Sequence, residues 1–262
     1  MCFWKFIYTS AQAVQRRIFR LWLKLKIRRA RDNAYRGEAM LWGYGLKIAY
    51  PDQQVWLGQM QELFLEDCYG VRHLSPSARV VDAGANIGTF AMQVLWRCPA
   101  AHVISIEPDP GNLSYLRENV ARWMGQQIEV CPVAVGAAVG VGRLNTTRSD
   151  SVRISDDGSV EVPVRPLNEF LSGRVDLLKM DIEGSEYPVL QAAGSGLRNV
   201  KRVVVEYHQF SGMENTMPEC MVTLRNAGFN RFSIHHLRHF SPDKPVQLEH
   251  CCLLEGWRSY DC

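Results

Sequence analysis

The sequence predicts a doubly wound α/β fold with a mostly parallel sheet and an antiparallel closing strand. Three observations carry this: short apolar strands alternate with helical runs from Ala78 onward, an acid-and-glycine loop follows the first strand, and the last two strands have no helical segment between them. With 262 residues, 47% of them apolar and 22% charged, the chain can bury a full core and is not a disordered polymer. No window approaches the roughly eighteen uninterrupted apolar residues that a membrane span needs.

Val80-Val81 opens the sheet and runs into Asp82-Ala83-Gly84-Ala85-Asn86-Ile87-Gly88, after which Phe90, Val94, Leu95 and Trp96 continue at helical spacing. His102–Ile106 is a second strand ending at Glu107, and Asn112, Leu113, Leu116 and Val120 mark the next helix. Ile128–Val135 reads as one third strand. Val175–Met180 is the fourth, with a helix near Glu186–Ala193, and Arg202–Glu206 the fifth, with a helix near Pro218–Ala227. Arg231–His235 and Gln247–Leu254 close the sheet as an antiparallel pair. Residues 136–166 interrupt the alternation and read as a β-hairpin insertion, Val152–Ile154 against Val160–Val164 across the turn Asp156-Asp157-Gly158-Ser159.

Charge divides the chain further. Residues 1–36 carry ten Lys/Arg against one acid, Asp32, a net of +9; the rest holds 20 basic and 26 acidic side chains, a net of −6. From Ser10 to Arg31 there is no Gly or Pro, and Val14, Ile18, Leu21, Trp22 and Leu25 recur at helical spacing, the pattern of a basic amphipathic helical arm. Such an arm suits peripheral contact with an anionic membrane surface; packing of its apolar stripe on the acidic body is the plainer alternative. Arg16-Arg17 is followed by a run broken by Lys24 and Lys26, a poor export signal. The expected organisation is an arm at 1–36, a helical and strand lead-in at 37–77, and the α/β domain at 78–262. Eight scattered cysteines without a Cys-x-x-Cys pair suit reduced thiols in the cytoplasm, with the arm at the inner face of a membrane.

In such a sheet, ligands sit beyond the carboxyl ends of the strands. Gly84 lets the loop backbone approach a ligand and Gly88 starts the helix tightly against the sheet. Asn86 stands where a dinucleotide loop would place its second open glycine, which disfavours a pyrophosphate. Glu107 follows Asp82 by 25 residues and ends the second strand, where an acid accepts hydrogen bonds from a ribose diol. A nucleoside without a phosphate bridge fits that pair; helix capping by Asp82 and Glu107 is the plainer alternative.

Val80–Phe90, Ile104-Ser-Ile-Glu-Pro-Asp109 and Asp176-Leu-Leu-Lys-Met-Asp-Ile-Glu-Gly-Ser-Glu186 together resemble the FkbM family of S-adenosylmethionine-dependent methyltransferases, from about Ala78 to His208. The resemblance implies a class I methyltransferase (Rossmann-like) sheet, S-adenosyl-L-methionine as cofactor, and methyl transfer to a hydroxyl of a sugar, glycan or small natural product. It implies a donor site at Asp82, Gly84, Ala85, Asn86, Gly88, Glu107, Pro108 and Asp181. Position after the third strand assigns Val133 and Ala134 to the adenine. Met180 stands where the family commonly has isoleucine, a volume-tolerant change.

Methyl transfer to an alcohol needs a positioned acceptor and a group to take its proton. Asp181 and Glu183 follow the fourth strand and are the first catalytic candidates; His208 and Glu206 end the fifth, on the same rim. His208 has the intrinsic basicity for the task, while a hydrogen-bonded pair at the sheet edge explains Glu206 and His208 equally well. Asp181, Glu206 and His208 form a set that could take a divalent metal, although two carboxylates and an imidazole fix no metal type and none is expected. Glu186 and Tyr187 read as a helix start. His235, His236, His239 and His250 read as surface or loop residues. A nicotinamide oxidoreductase on the same fold and a non-catalytic membrane-docking module remain the alternatives. The expected partner is a small-molecule or glycan acceptor, with no specific nucleic acid; the sequence sets no oligomeric state.

Overall fold

The computed structural model describes residues 21, 37–41, 46–122, 127–145, 153–154, 158–210, 214–236 and 248–258. The basic arm apart from Leu21, the Asp156-Asp157 turn and His239 lie outside them. A hairpin of β1 (Gly37–Leu41) and β2 (Leu46–Tyr50) leads into helix α1 (Gln53–Met60). Asp52 caps α1 by accepting hydrogen bonds from the Gln54 and Val55 N–H groups at 2.7 and 3.1 Å, which satisfies donors the first turn would otherwise leave open. Trp56, Leu57 and Met60 are buried, with Trp56 stacked on Tyr50 at 4.8 Å.

The body alternates β3 (Arg79–Ala83), α2 (Thr89–Arg97), β4 (His102–Ile106), α3 (Pro110–Arg122) and β5 (Ile128–Cys131). After the insertion come β10 (Leu177–Met180), α4 (Glu186–Ala193), β11 (Arg202–Phe210), α5 (Met217–Asn226), β12 (Arg231–His236) and β13 (Leu248–Trp257). The seven-stranded sheet runs β12-β13-β11-β10-β3-β4-β5, and only β13 pairs antiparallel to its neighbours. This is the predicted α/β class. Strand order reverses at β3, between β4 and β10, which opens a crevice at the carboxyl ends of those strands.

Period-two alternation explains the layers. Val80, Val103, Leu177 and Val204 belong to the core under α1, α2 and α3, whereas Val81, Ile104, Leu178, Val203 and Val205 belong to the core under α4 and α5. Both faces are covered, so the strands read as continuous apolar runs.

Three expected elements are corrected. Ile128–Val135 is not one strand: β5 ends at Cys131, the Val133 N–H donates to the Cys131 carbonyl at 3.0 Å, and β6 (Ala134–Gly136) joins a second sheet. Pro132 has no N–H to continue the ladder, and the tight turn redirects the chain. The insertion is a four-stranded sheet of order β6-β9-β7-β8, in which β9 (Val160–Pro166) pairs antiparallel with β7 (Gly140–Asn145) instead of with β8 (Arg153–Ile154). Pairing with the longer β7 packs Leu144 against Val162 and Ala134, a small core that a two-residue strand could not supply. The fourth strand begins at Leu177, with Val175 forming only an isolated bridge to Val200. No described helix is long and apolar enough to cross a membrane.

Candidate active site

The loop after β3 is shaped by two left-handed glycines and an asparagine. Gly84 has φ +83°, and a Cβ there would lie 1.8 Å from the Asp181 carbonyl, so only glycine lets the loop lie against the end of β10. Gly88, at φ +88°, precedes α2, and a Cβ there would press on Leu116. Asn86 takes φ +51°, which its side chain supports by accepting from the Ile87 N–H at 2.8 Å. The Asn86 N–H in turn donates to Glu107 Oε2 at 2.8 Å, and the Asp109 N–H donates to Glu107 Oε1 at 2.9 Å. The carboxylate is thus fixed with acceptor capacity left over. Burial pushes Glu107 up to about 7 despite those bonds.

A polar row crosses the sheet beneath this loop. Register sets Asp82 beside Lys179 and Lys179 beside Val204, and period two puts Glu206 and His208 on the same face of β11. The Lys179 side chain is 5% exposed; its Nζ donates to the Gly84 carbonyl at 2.6 Å and lies 3.3 Å from Asp82 Oδ1 and 3.5 Å from Asp181 Oδ2. Burial opposes its charge, but Asp82, Asp181 and Glu206 more than compensate and hold it protonated. Asp82 is fully buried, and its desolvation, partly offset by Lys179, brings it up to about 6. Tyr69 covers the row: its ring lies 5.6 Å from Lys179 Nζ and its hydroxyl donates to Glu206 Oε2 at 2.6 Å.

The carboxylates after β10 converge on one imidazole. His208 Nε2 lies 3.9 Å from Asp181 Oδ1 and 3.8 Å from both Glu183 Oε2 and Glu206 Oε1. Its Nδ1 meets Glu186 Oε1 at 3.0 Å, so the helix-starting acid also sets the ring's orientation. Glu186 accepts the Gly184 N–H as well and is 1% exposed. Glu183 occupies a left-handed φ of 55° within the turn that aims these groups. Burial lifts Glu183 to about 8, reinforced by Asp181, Glu206 and Glu186 and opposed by His208. Burial and the Asp181 charge lift Glu206 to about 7. The ligating atoms of Asp181, Glu206 and His208 lie within 4.8 Å of one another, close enough for these three to hold a divalent cation, although Tyr69 and Lys179 already engage two of the carboxylates.

A cavity of about 470 Å³ opens over this floor. Of the residues singled out by sequence, Gly84, Ala85, Asn86, Glu107, Pro108, Val133, Ala134, Asp181, Glu183 and Glu206 line it together. Asp82, Gly88 and His208 do not: Asp82 and His208 stand behind the wall and Gly88 starts the helix. Sequence reasoning missed the far wall, where α1 and the π-helical turn Gln61–Glu66 bring Gln54, Gln59, Glu62 and Leu63, joined by Tyr69. It also missed the roles of Lys179 and Glu186. A lysine inside the otherwise apolar strand Leu177–Met180 was the available signal for the first; nothing local foretold the second. His235 is exposed on β12 and bonded to Ser233 Oγ, away from the cavity.

The donor chemistry the resemblance implied fits these residues: an open backbone at Gly84, an anchored acid at Glu107, and apolar Pro108, Val133 and Leu144 beside them. Comparison with known proteins agrees. The chain is 31% identical to the hexuronic acid methyltransferase AglP of Haloferax volcanii over 136 residues, 48% of this chain and 54% of that one. It is 27% identical to the 31-O-demethyl-FK506 methyltransferase FkbM of Streptomyces tacrolimicus over 213 residues, 64% and 80% of the two chains. For three of the curated relatives it matches, the shared segment spans 64%, 80% and 54% of their own lengths. The structure of M. jannaschii TYW2 in complex with AdoMet superposes with a TM-score of 0.51 at 14% identity, covering 87% of this chain and 89% of that one, which establishes the shared fold. A profile of the methyltransferase FkbM domain matches residues 82–231, more than half the chain and the whole of the loop, acid and carboxylate turn. The chain belongs to the FkbM family of S-adenosylmethionine-dependent methyltransferases.

Proposed function

We propose that this chain transfers the methyl group of S-adenosylmethionine to a hydroxyl oxygen of a sugar, glycan or small natural product. The observation that carries the reading is that Gly84, Glu107 and Asp181, read separately from three strand ends, open into one cavity. The names of the Haloferax and Streptomyces relatives, which act on a hexuronic acid and at an O-methyl position, support that acceptor class.

The sulfonium supplies an activated methyl group. The chain's own task is to hold the donor, align an acceptor oxygen and take its proton. Glu107 accepts from the ribose hydroxyls, the Gly84 backbone allows close approach, and Val133 and Ala134 flank the adenine. Asp181 is the first candidate to receive the acceptor's proton and Glu183 the second; both line the cavity. Glu206 positions the acceptor, and His208, set behind them, steadies their charge.

Residues 1–36 are assigned to an arm on an anionic membrane surface, residues 37–77 to a lead-in that walls the acceptor side, and residues 78–262 to the catalytic domain. Charge supports the arm: residues 1–36 carry a net of +9 against −6 for the rest of the chain.

Incubation with labelled S-adenosylmethionine, followed by equilibrium dialysis and then a transfer screen on sugar and lipid-linked sugar acceptors, tests the proposal. Donor retention and label in an acceptor hydroxyl are expected. No retention at saturating donor sinks it.

A further inference from the structure

The cavity face of α1 carries a glycine that the fold itself does not call for. Gly58 lies inside the helix, where glycine is weaker than alanine, and its backbone stays outside the left-handed region that favours glycine. A Cβ there would meet no heavy atom of the described residues within 4 Å, so packing does not require glycine either. What the missing side chain leaves open is the cavity. Gly58 lines it together with Gln54, Val55 and Gln59, a spacing that sets all four on one face of the helix. The helix is held in place from its other side: Trp56, Leu57 and Met60 are buried, Asp52 caps the first turn, and Gln59 Oε1 accepts from Thr89 Oγ1 of α2 at 2.9 Å. The backbone therefore cannot retreat, and the notch at Gly58 is a fixed part of the cavity's shape. Its surroundings suit a hydroxylated ring, whose saturated C–H face can lie on the bare backbone beside Val55 while the amides of Gln54 and Gln59 meet its hydroxyls. α1 also stands outside residues 82–231, the segment shared with the family, which already holds the glycine loop, Glu107 and the carboxylate turn. A wall supplied from outside that segment serves what differs among proteins that share a donor, namely the acceptor.

We infer that the notch at Gly58 seats a sugar ring of the acceptor, and that Gly58 is a specificity-determining residue of this chain. The inference rests on the methyl-transfer reading above and narrows it to a named contact surface.

Ligand-observed NMR on the full chain loaded with S-adenosylhomocysteine tests it, with methyl α-glucoside, α-galactoside and α-mannoside as probes; S-adenosylhomocysteine itself is titrated separately by calorimetry. At least one hexoside is expected to bind the parent protein. Gly58→Leu, which fills the notch, is expected to weaken that hexoside about tenfold or more while S-adenosylhomocysteine affinity holds. Gly58→Ala is expected to melt at the same temperature as the parent or higher, because alanine favours the helix. If Gly58→Leu fails to fold, Gly58→Ala decides by its hexoside affinity, which is lowered several-fold under this inference and unchanged without it. No binding of any hexoside, or an unmoved hexoside affinity in Gly58→Leu, overturns the inference. So does a loss of S-adenosylhomocysteine affinity in Gly58→Leu, which would give the notch to the donor, and so does a lower melting temperature for Gly58→Ala, which would give the glycine to the fold. Failure of S-adenosylhomocysteine and S-adenosylmethionine to bind the parent protein would remove the methyl-transfer reading, and this inference with it.

Discussion

The place of Glu107 at a strand end beside the glycine loop was readable from the sequence, but its anchoring by the Asn86 and Asp109 N–H groups was not, because those bonds depend on how the loop folds back. Removing it by Glu107→Ala should weaken donor binding by about 1.5–3 kcal/mol, the worth of charge-assisted hydrogen bonds, or roughly ten- to hundredfold. Its carboxyl sits at about 7, so it is ionised above that pH and a protonated, poorer acceptor below it. Donor affinity is therefore expected to rise with pH through 7, by at most about tenfold per unit, and Glu107→Gln should erase that component; a pH-independent Kd for the parent protein in calorimetry would refute the assignment. Asp181→Asn should lower kcat by a factor on the order of 10² to 10⁴ while leaving donor affinity nearly unchanged, if the residue takes the acceptor's proton. The reverse pattern would move Asp181 to donor binding.

Elements carry the next set of constraints. The β3 loop and the end of β10 touch so closely that Gly84→Ala would drive a Cβ into the Asp181 carbonyl at a φ unfavourable to alanine. The variant should lose donor binding and at least about 1–3 kcal/mol of stability, the usual cost of overpacking; thermal melting and donor titration together decide it. Lys179→Met leaves Asp82 buried with no opposing charge, and a loss of about 3–5 kcal/mol in denaturant unfolding is expected. Most helices and strands were legible because apolar periodicity is a local signal. The third strand and the insertion were not, since Pro132 acts through a missing ladder bond and the partner of β9 is set by which strand can bury Leu144.

At the scale of the molecule, the switch between β4 and β10 gathers groups that are remote along the chain. The far wall comes from α1 and the segment up to Tyr69, outside the motifs that mark the family, and acceptor choice is expected to reside there. The basic arm belongs to this scale as well. Deleting residues 1–31 should abolish association with anionic liposomes in a flotation assay while the remaining protein melts as before, and retained flotation would refute the arm's role.

Alone, the sequence determined the α/β class, the methyltransferase family and ten of the residues that line the cavity, because strand periodicity, glycine loops and strand-end acids are short-range patterns. Only the tertiary structure decided that Lys179 joins the Gly84 loop to the carboxylate floor, that Glu186 orients His208, and that α1 walls the same cavity. Those relations arise from strand register and close packing between segments up to 137 residues apart, as with Tyr69 and Glu206, and no local window contains both partners.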